Sequence, residues 1–233
     1  MIIHQLIARH LKHRDDAEFY VLQAQDALQW IERQGVAIQP GLRVLDLGCG
    51  HGIFGNEFLP RGCDMTYADA ANILKPELRQ HRFVEMNLDT DDYAKLGRHD
   101  LVICSNVLEH LAKPRQFIDR AAGLLPTGGH LYLSWTNWLS PWGGHDFSPF
   151  HYLGARRGVA LWSRLTGRKS DHTVFTNLFP TYIGEVLRWV RANPELQLVK
   201  AAPRYYPELA FLLNIPVARE FLAWNCALLL RRR

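Results

Sequence analysis

The sequence predicts a doubly wound α/β fold, a largely parallel sheet with helices on both faces. Three observations carry this expectation. Short apolar runs alternate with helix-period segments between residues 43 and 134, the pattern of βαβ units joined by right-handed crossovers. The first run ends in a glycine-rich turn, Gly48-Cys49-Gly50-His51-Gly52, at the edge where such folds hold ligands. The 233 residues are 48% hydrophobic and 21% charged, enough apolar side chain for one full core without staples.

Each element has its own signal. Tyr20, Ala24, Leu28 and Ile31 recur at helical spacing, so residues 16–34 read as an amphipathic helix, punctuated by Pro40-Gly41. Arg43 to Leu47 is a buried strand. Ile53 to Leu59 is a short helix stopped by Pro60-Arg61-Gly62, and Met65 to Ala68 a second strand. Residues 75–80 read as a second crossover helix, with Pro76 suited to its first turn. Arg82 to Met86, Asp100 to Cys104 and His130 to Ser134 supply three more strands. Between them lie a weak helix at 91–96 and one at 114–125, where Phe117, Ala121, Leu124 and Leu125 share a face. The alternation breaks from Asn137 to Pro180, a stretch rich in Trp, Phe, Tyr, Gly and Pro that reads as an insertion above the sheet. A helix at 181–192, a strand at 196–202, one or two further helices and a last strand, Trp224 to Leu230, complete the chain.

Bulk properties exclude several classes. The net charge of +4 owes much to Arg231–Arg233, which argues against a nucleic-acid groove. The four cysteines, Cys49, Cys63, Cys104 and Cys226, form no C-x-x-C pair, so buried reduced thiols and a cytoplasmic location are expected. Met1 to His4 lacks the pattern of a signal peptide. Pro216, Arg219, Glu220 and Asn225 interrupt the apolar stretch from Leu209 to Leu230. A spanning helix is therefore not expected, although that stretch and the arginine tail leave peripheral membrane contact open.

The glycine turn carries the chemistry. Its spacing is G-x-G-x-G, not the G-x-G-x-x-G of a dinucleotide site, and Asp46 stands two residues before the first glycine. A carboxylate there repels a pyrophosphate but suits a ligand bearing an ammonium and a sulfonium, such as S-adenosylmethionine. Glycine lets a ligand lie against bare backbone. Asp69, seventeen residues beyond Gly52 at the end of the second strand, is placed to accept both ribose hydroxyls. A helix N-cap ahead of Ala70-Ala71 is the alternative for it.

With these residues in place, residues 43–134 resemble the class I, Rossmann-like methyltransferases, in particular the branch acting on small molecules. The family's acid and glycines match Asp46, Gly48, Gly50 and Gly52, with Cys49 inside the turn, and its ribose-binding acid matches Asp69, followed by Ala70. Its Asn-Val-Leu-Glu-His segment appears as Asn106-Val107-Leu108-Glu109-His110, and its turn before strand five as Pro126-Thr127-Gly128-Gly129. The resemblance implies a seven-stranded, mostly parallel sheet with the last strand antiparallel, and S-adenosylmethionine as cofactor. It implies that the backbone near Cys104 and Ser105 faces the cofactor's methionine part. One departure is that Asn87 stands where the family places an adenine-binding Asp, with Leu88 and Asp89 following. Either Asn87 or Asp89 accepts the adenine amino group. The chain then reads as one domain, 1–233: N-terminal helices to residue 40, a cofactor-binding core at 41–135, an acceptor-side insertion at 136–180, and a C-terminal helix and strand pair from 181.

Methyl transfer needs an acceptor atom held in line with the S–CH₃ bond and, for a hydroxyl acceptor, a base. His110 is the leading base, with a loop-pinning role as its alternative. In the insertion, His145 beside Asp146 suggests an acid/base pair. Trp135, Asn137, Trp138, Trp142, Phe147, His151 and Tyr152 read either as an acceptor pocket or as a self-packed loop. His145, Asp146 and His151 lack metal-ligand spacing, so no metal is expected. The basic residues Arg156, Arg157 and Arg164 to Lys169 read as a solvated face or a contact for an acidic acceptor. The expected reaction is methylation of a small-molecule or glycan acceptor, most readily at oxygen. A lipid-ring or quinone methyltransferase at a membrane surface and a non-catalytic cofactor-binding module are the alternatives. Oligomeric state has no signal.

Overall fold

The computed structural model describes residues 2–13 and 16–233. Seven strands form one sheet: β1 (Arg43–Leu47), β2 (Asp64–Asp69), β3 (Arg82–Glu85), β4 (Leu101–Ser105), β5 (His130–Thr136), β6 (Leu196–Pro203) and β7 (Asn225–Arg232). Their order is β3-β2-β1-β4-β5-β7-β6. β7 runs antiparallel to both of its neighbours, and the other pairings are parallel. The chain moves outward from β1 to β3 and returns to β4 on the other side of β1. The switch point, where doubly wound sheets open a ligand crevice, therefore lies between the ends of β1 and β4.

Helices cover both faces because side chains alternate across each strand. Leu45, Leu47, Val102, Cys104 and Leu133 pack on α4 (Pro114–Gly123) and α6 (Ile183–Ala192). Val44, Met65, Tyr67, Ile103 and Tyr132 pack on α2 (Ala17–Arg33) and α3 (Ile53–Asn56). α1 (Ile3–His13) precedes α2, whose N-cap Asp16 accepts from Phe19 N at 3.0 Å. The helix expected at 75–80 is a single 3₁₀ turn, Pro76–Leu78, and that at 91–96 is another, Tyr93–Leu96. Pro76 fixes a first turn, but the residues that follow give too little apolar face to extend either segment.

The insertion carries more regular structure than its composition suggested. α5 (Ala155–Thr166) arises from the basic stretch, and Trp138, Phe147, Trp162 and Leu178 form a satellite core beneath it. A 3₁₀ segment, Pro207–Asn214, and α7 (Ala218–Leu222) fill the space before β7. Arg232 lies within β7 and pairs with Glu195 at 2.6 Å, so the last arginines are not a free tail. All four cysteines are buried and unbridged. No helix among the described residues is long and apolar enough to cross a membrane.

Gly48 holds the β1 turn against the β4 loop. Its φ is +77°, and a Cβ there would overlap the Val107 side chain. Gly48→Ala is expected to lower unfolding free energy by about 2–5 kcal/mol, combining left-handed strain with overpacking. Urea denaturation checks this, and an unchanged midpoint would contradict the packing described.

Candidate functional site

The turn after β1 is tied to the end of β2 by a carboxylate. Gly48 and Cys49 donate their N–H groups to the Ala68 carbonyl at 2.8 and 3.2 Å. Gly50 N–H donates to Asp69 Oδ2 at 2.7 Å, and Ala70 N–H to Asp69 Oδ1 at 2.7 Å. Each carboxylate oxygen keeps acceptor capacity beyond these bonds, so Asp69 fixes the turn and can still receive two hydroxyls. Gly50 has φ +51°, and a Cβ placed on it meets nothing within 4 Å. The backbone here borders open space, the cradle that a flat ligand against the turn requires. Gly52 N–H closes the turn on the Cys49 carbonyl at 2.8 Å.

Asp46 lies behind this turn. It is buried, and its Oδ2 accepts from Gly55 N–H in α3 at 2.9 Å. Burial pushes its carboxyl up to about 7, with Gly55 pulling it down and Asp69 adding to the rise. Sequence reasoning placed a fixed anion here; the fold places a carboxyl poised between its two forms.

At the end of β3, Met86 N–H donates to the Asp69 carbonyl at 2.8 Å, which brings Asn87 beside the β2 edge. Asn87 is exposed and its Oδ1 accepts from Asp89 N–H at 2.9 Å. Leu88 is buried, its carbonyl taken by Tyr93 Oη at 2.9 Å. Asp89 accepts from Ala112 N–H and Lys113 N–H, both at 3.0 Å. It braces the start of α4, which leaves Asn87 the freer of the two.

On the other side of the switch point, the Cys104 thiol is sealed in the core, and burial pushes it well above the ordinary thiol range. Ser105 Oγ pairs with Ser134 Oγ at 3.0 Å. Asn106, in a left-handed conformation at φ 55°, is the centre of a network that sequence reasoning missed. Its Nδ2 donates to Gln23 Oε1 at 3.2 Å, while its Oδ1 accepts from Asn225 Nδ2 at 3.0 Å and from Arg204 Nη1 at 3.2 Å. Arg204 is 3% exposed, sits over the Phe54 ring at 5.1 Å, and bonds only neutral oxygens, its Nε meeting none. The nearby carboxylate of Asp26 feels its charge but is not hydrogen-bonded to it, so the guanidinium keeps donors for a further anion. No sequence pattern marks it, because it arrives from the end of β6.

The imidazoles gather beyond β4 and β5. His110 Nδ1 lies 2.7 Å from the Asn177 carbonyl. Asp146 does not pair with His145: its Oδ1 lies 2.8 Å from His172 Nδ1, and it also accepts from Ser170 Oγ and Asp171 N–H, each at 3.0 Å. His145 instead faces both other rings, with centroids 5.1 Å from His110 and 4.6 Å from His172. Burial, then His110 and His172, hold its pKa down to about 3, which Gly143 and Asp146 offset only in part. It therefore stays neutral at working pH and is a weak proton acceptor. His172 was missed in the sequence, lying 26 positions beyond Asp146, the carboxylate it meets.

Several aromatic candidates prove structural. Trp135 belongs to the main core, Trp138 and Phe147 to the satellite core, and buried His151 places Nε2 3.0 Å from the Ser140 carbonyl. Asn137 is buried and donates to the Glu220 carbonyl. Trp142 and Tyr152 remain exposed at the rim, Trp142 against Trp224 at 4.9 Å between centroids.

Comparison with known proteins bears on the fold and the family. The profile of a methyltransferase-domain family matches residues 17–174. An uncharacterized methyltransferase of Mycolicibacterium vanbaalenii is 35% identical over 201 residues, covering 83% of this chain and 77% of its own. Among solved structures, an S-adenosylmethionine-dependent methyltransferase from Mesorhizobium loti superposes with a TM-score of 0.59 at 18% identity, over 89% of this chain and 98% of that one. The magnesium protoporphyrin IX methyltransferase of Synechocystis with bound S-adenosylhomocysteine gives 0.56 at 16%, over 92% and 84%. The chain belongs to the class I, S-adenosylmethionine-dependent methyltransferases.

Proposed function

We propose that this chain methylates a hydroxyl oxygen of a small-molecule or glycan acceptor, held between the cofactor turn and the imidazole cluster. The observation that carries the reading is His110. Its Nδ1 faces a carbonyl, which only accepts, so that nitrogen bears the proton and Nε2 keeps its lone pair. A histidine fixed in that tautomer at the crevice rim suits the removal of a hydroxyl proton.

The residues of the cofactor side fit S-adenosylmethionine. In this reading Asp69 takes the ribose hydroxyls and Gly50 lies under the nucleoside. Asn87 Oδ1 and the Leu88 backbone meet the adenine edge. The methionine part runs along Gly48, Cys49 and Ser105 toward Arg204, whose unpartnered Nε suits the carboxylate. The bound sulfonium supplies an already activated methyl group. The chain's own tasks are to hold the acceptor oxygen in line, exclude water and take up a proton.

A second reading, a lipid-linked ring as acceptor at a membrane surface, is favoured by one observation. Leu209, Phe211, Ile215, Val217, Phe221 and Leu222 are exposed together in the segment before β7. Pelleting with phospholipid vesicles separates it from the first reading.

The test is product analysis with S-adenosylmethionine against matched sets of hydroxyl and amine acceptors. Methyl ethers are expected, and His110→Ala should lower kcat about 10²-fold with cofactor affinity unchanged. N-methyl products, or a fully active variant, would overturn the reading.

Asp46 gives a pH test. Its raised pKa means that the folded protein holds a proton below about 7, so its contribution to stability fades as pH rises through that value. A cation bound nearby favours the ionised form, so below about pH 7 binding releases a proton, and cofactor affinity should rise as pH approaches that value and level off above it. Calorimetry in buffers of different ionisation enthalpy reads this, and an affinity that does not change with pH below about 7 contradicts it.

A further inference from the structure

We propose that His110, His145 and His172 form a binding site for a divalent transition metal of the zinc class, with Asp146 and the Asn177 carbonyl as its outer supports. One ligand atom from each of the three rings lies within 4.8 Å of the others. They come from three separate segments: the turn after β4, the loop after β5 and the strand-free stretch before α6. This is why no ligand spacing is visible in the sequence. His151, whose Nε2 lies on the Ser140 carbonyl, is not among the three clustered rings.

Ring orientation carries the argument beyond proximity. His110 Nδ1 is held by the Asn177 carbonyl at 2.7 Å, and His172 Nδ1 by Asp146 Oδ1 at 2.8 Å. Both acceptors fix the proton on Nδ1 and leave Nε2 as the nitrogen with a free lone pair. Metal-bound histidines are characteristically held this way, one ring N–H on a carboxylate or carbonyl and the other nitrogen on the ion. Asp146 is itself locked by Ser170 Oγ and Asp171 N–H, so it serves as a support and not as a ligand. His145 brings the third ring from a left-handed backbone conformation, φ 52°, and its Nδ1 is buried without a hydrogen bond. A strained residue with an unsatisfied polar atom, facing two pinned imidazoles, is better explained by an ion than by packing.

The donor set selects the ion. Three neutral nitrogens, without a carboxylate among them, suit Zn²⁺, Co²⁺ or Ni²⁺ and not Mg²⁺ or Ca²⁺. Tetrahedral coordination at about 2.0–2.1 Å brings ligand nitrogens to about 3.3 Å apart, so from within 4.8 Å the rings must close by up to about 1.5 Å. Three protein ligands leave one position open. On the hydroxyl reading above, on which this role but not the site itself rests, that position takes the acceptor oxygen and lowers its pKa; with its Nε2 on the ion, His110 then acts through the metal and not as the base, and the proton passes to bulk water before transfer.

The test uses the tag-free full chain, stripped with chelator and dialysed against Zn²⁺ or Co²⁺. One equivalent should bind, and Co²⁺ should show the intense visible bands of a four- or five-coordinate nitrogen site. His172→Ala and His110→Ala should each weaken binding at least about 100-fold, and Asp146→Asn about 10- to 100-fold, with melting temperature and cofactor affinity retained. Excess Mg²⁺ should not compete. Co²⁺ occupancy of the wild-type chain no higher than that of the triple alanine variant, or an octahedral spectrum unaffected by Asp146→Asn, would overturn the site. Hydroxyl methylation at full rate in chelator would refute the metal's role while sparing the functional reading. A metal bound without hydroxyl transfer would do the reverse.

Discussion

The carboxylate of Asp69 joins the two halves of the crevice floor. It receives Gly50 N–H from the turn after β1 and Ala70 N–H from its own strand end, each at 2.7 Å. Without it, a turn with glycine at three of its five positions would keep only its backbone bonds to Ala68 and Cys49. With it, the turn is fixed by charge-assisted bonds, and the space above Gly50 stays open because no side chain grows into it. Gly48 meets the opposite constraint, since Val107 closes on it from the β4 side. One glycine serves the ligand and the other serves the fold.

The acceptor side is built by a different principle. Its imidazoles are not set by strand ends alone but by the insertion, whose satellite core of Trp138, Phe147, Trp162 and Leu178 gives the loop a rigid base. Phe179 N–H on the Glu109 carbonyl at 2.7 Å and Glu109 Oε1 on Thr136 N–H at 2.8 Å stitch the insertion's far end back to the β4 and β5 edges. The acid of the Glu109-His110 pair therefore positions the wall, and its neighbour faces the crevice. Such a division follows from burial: Glu109 is 1% exposed, whereas His110 reaches the rim.

Much of this was legible in the residues. β1 to β7, the glycine turn and the helices α2, α4 and α6 follow from apolar period and turn chemistry, which act locally. The crossover segments after β2 and β3 were overread, because a proline and a few polar residues signal a turn start without the apolar face that sustains a helix. Asp146 was paired with its sequence neighbour His145, whereas the loop turns it toward His172. Arg204 and His172 carried no local signal at all, and Asn106 was marked only as part of a family-like segment, not for its network. Their roles depend on contacts between segments far apart in the chain, 98 positions for Arg204 and Asn106, and only the closed sheet brings them together.

The most direct measurement is a binding cycle by calorimetry, crossing wild type and Asp69→Ala with S-adenosylhomocysteine and its 2′-deoxy analogue. The account predicts that the wild type loses roughly 1–3 kcal/mol when the hydroxyl is removed, and that the folded alanine variant, already weaker, does not distinguish the two ligands. Equal discrimination by both proteins would contradict the assignment of Asp69 to the ribose and, with it, the placement of the nucleoside over Gly50.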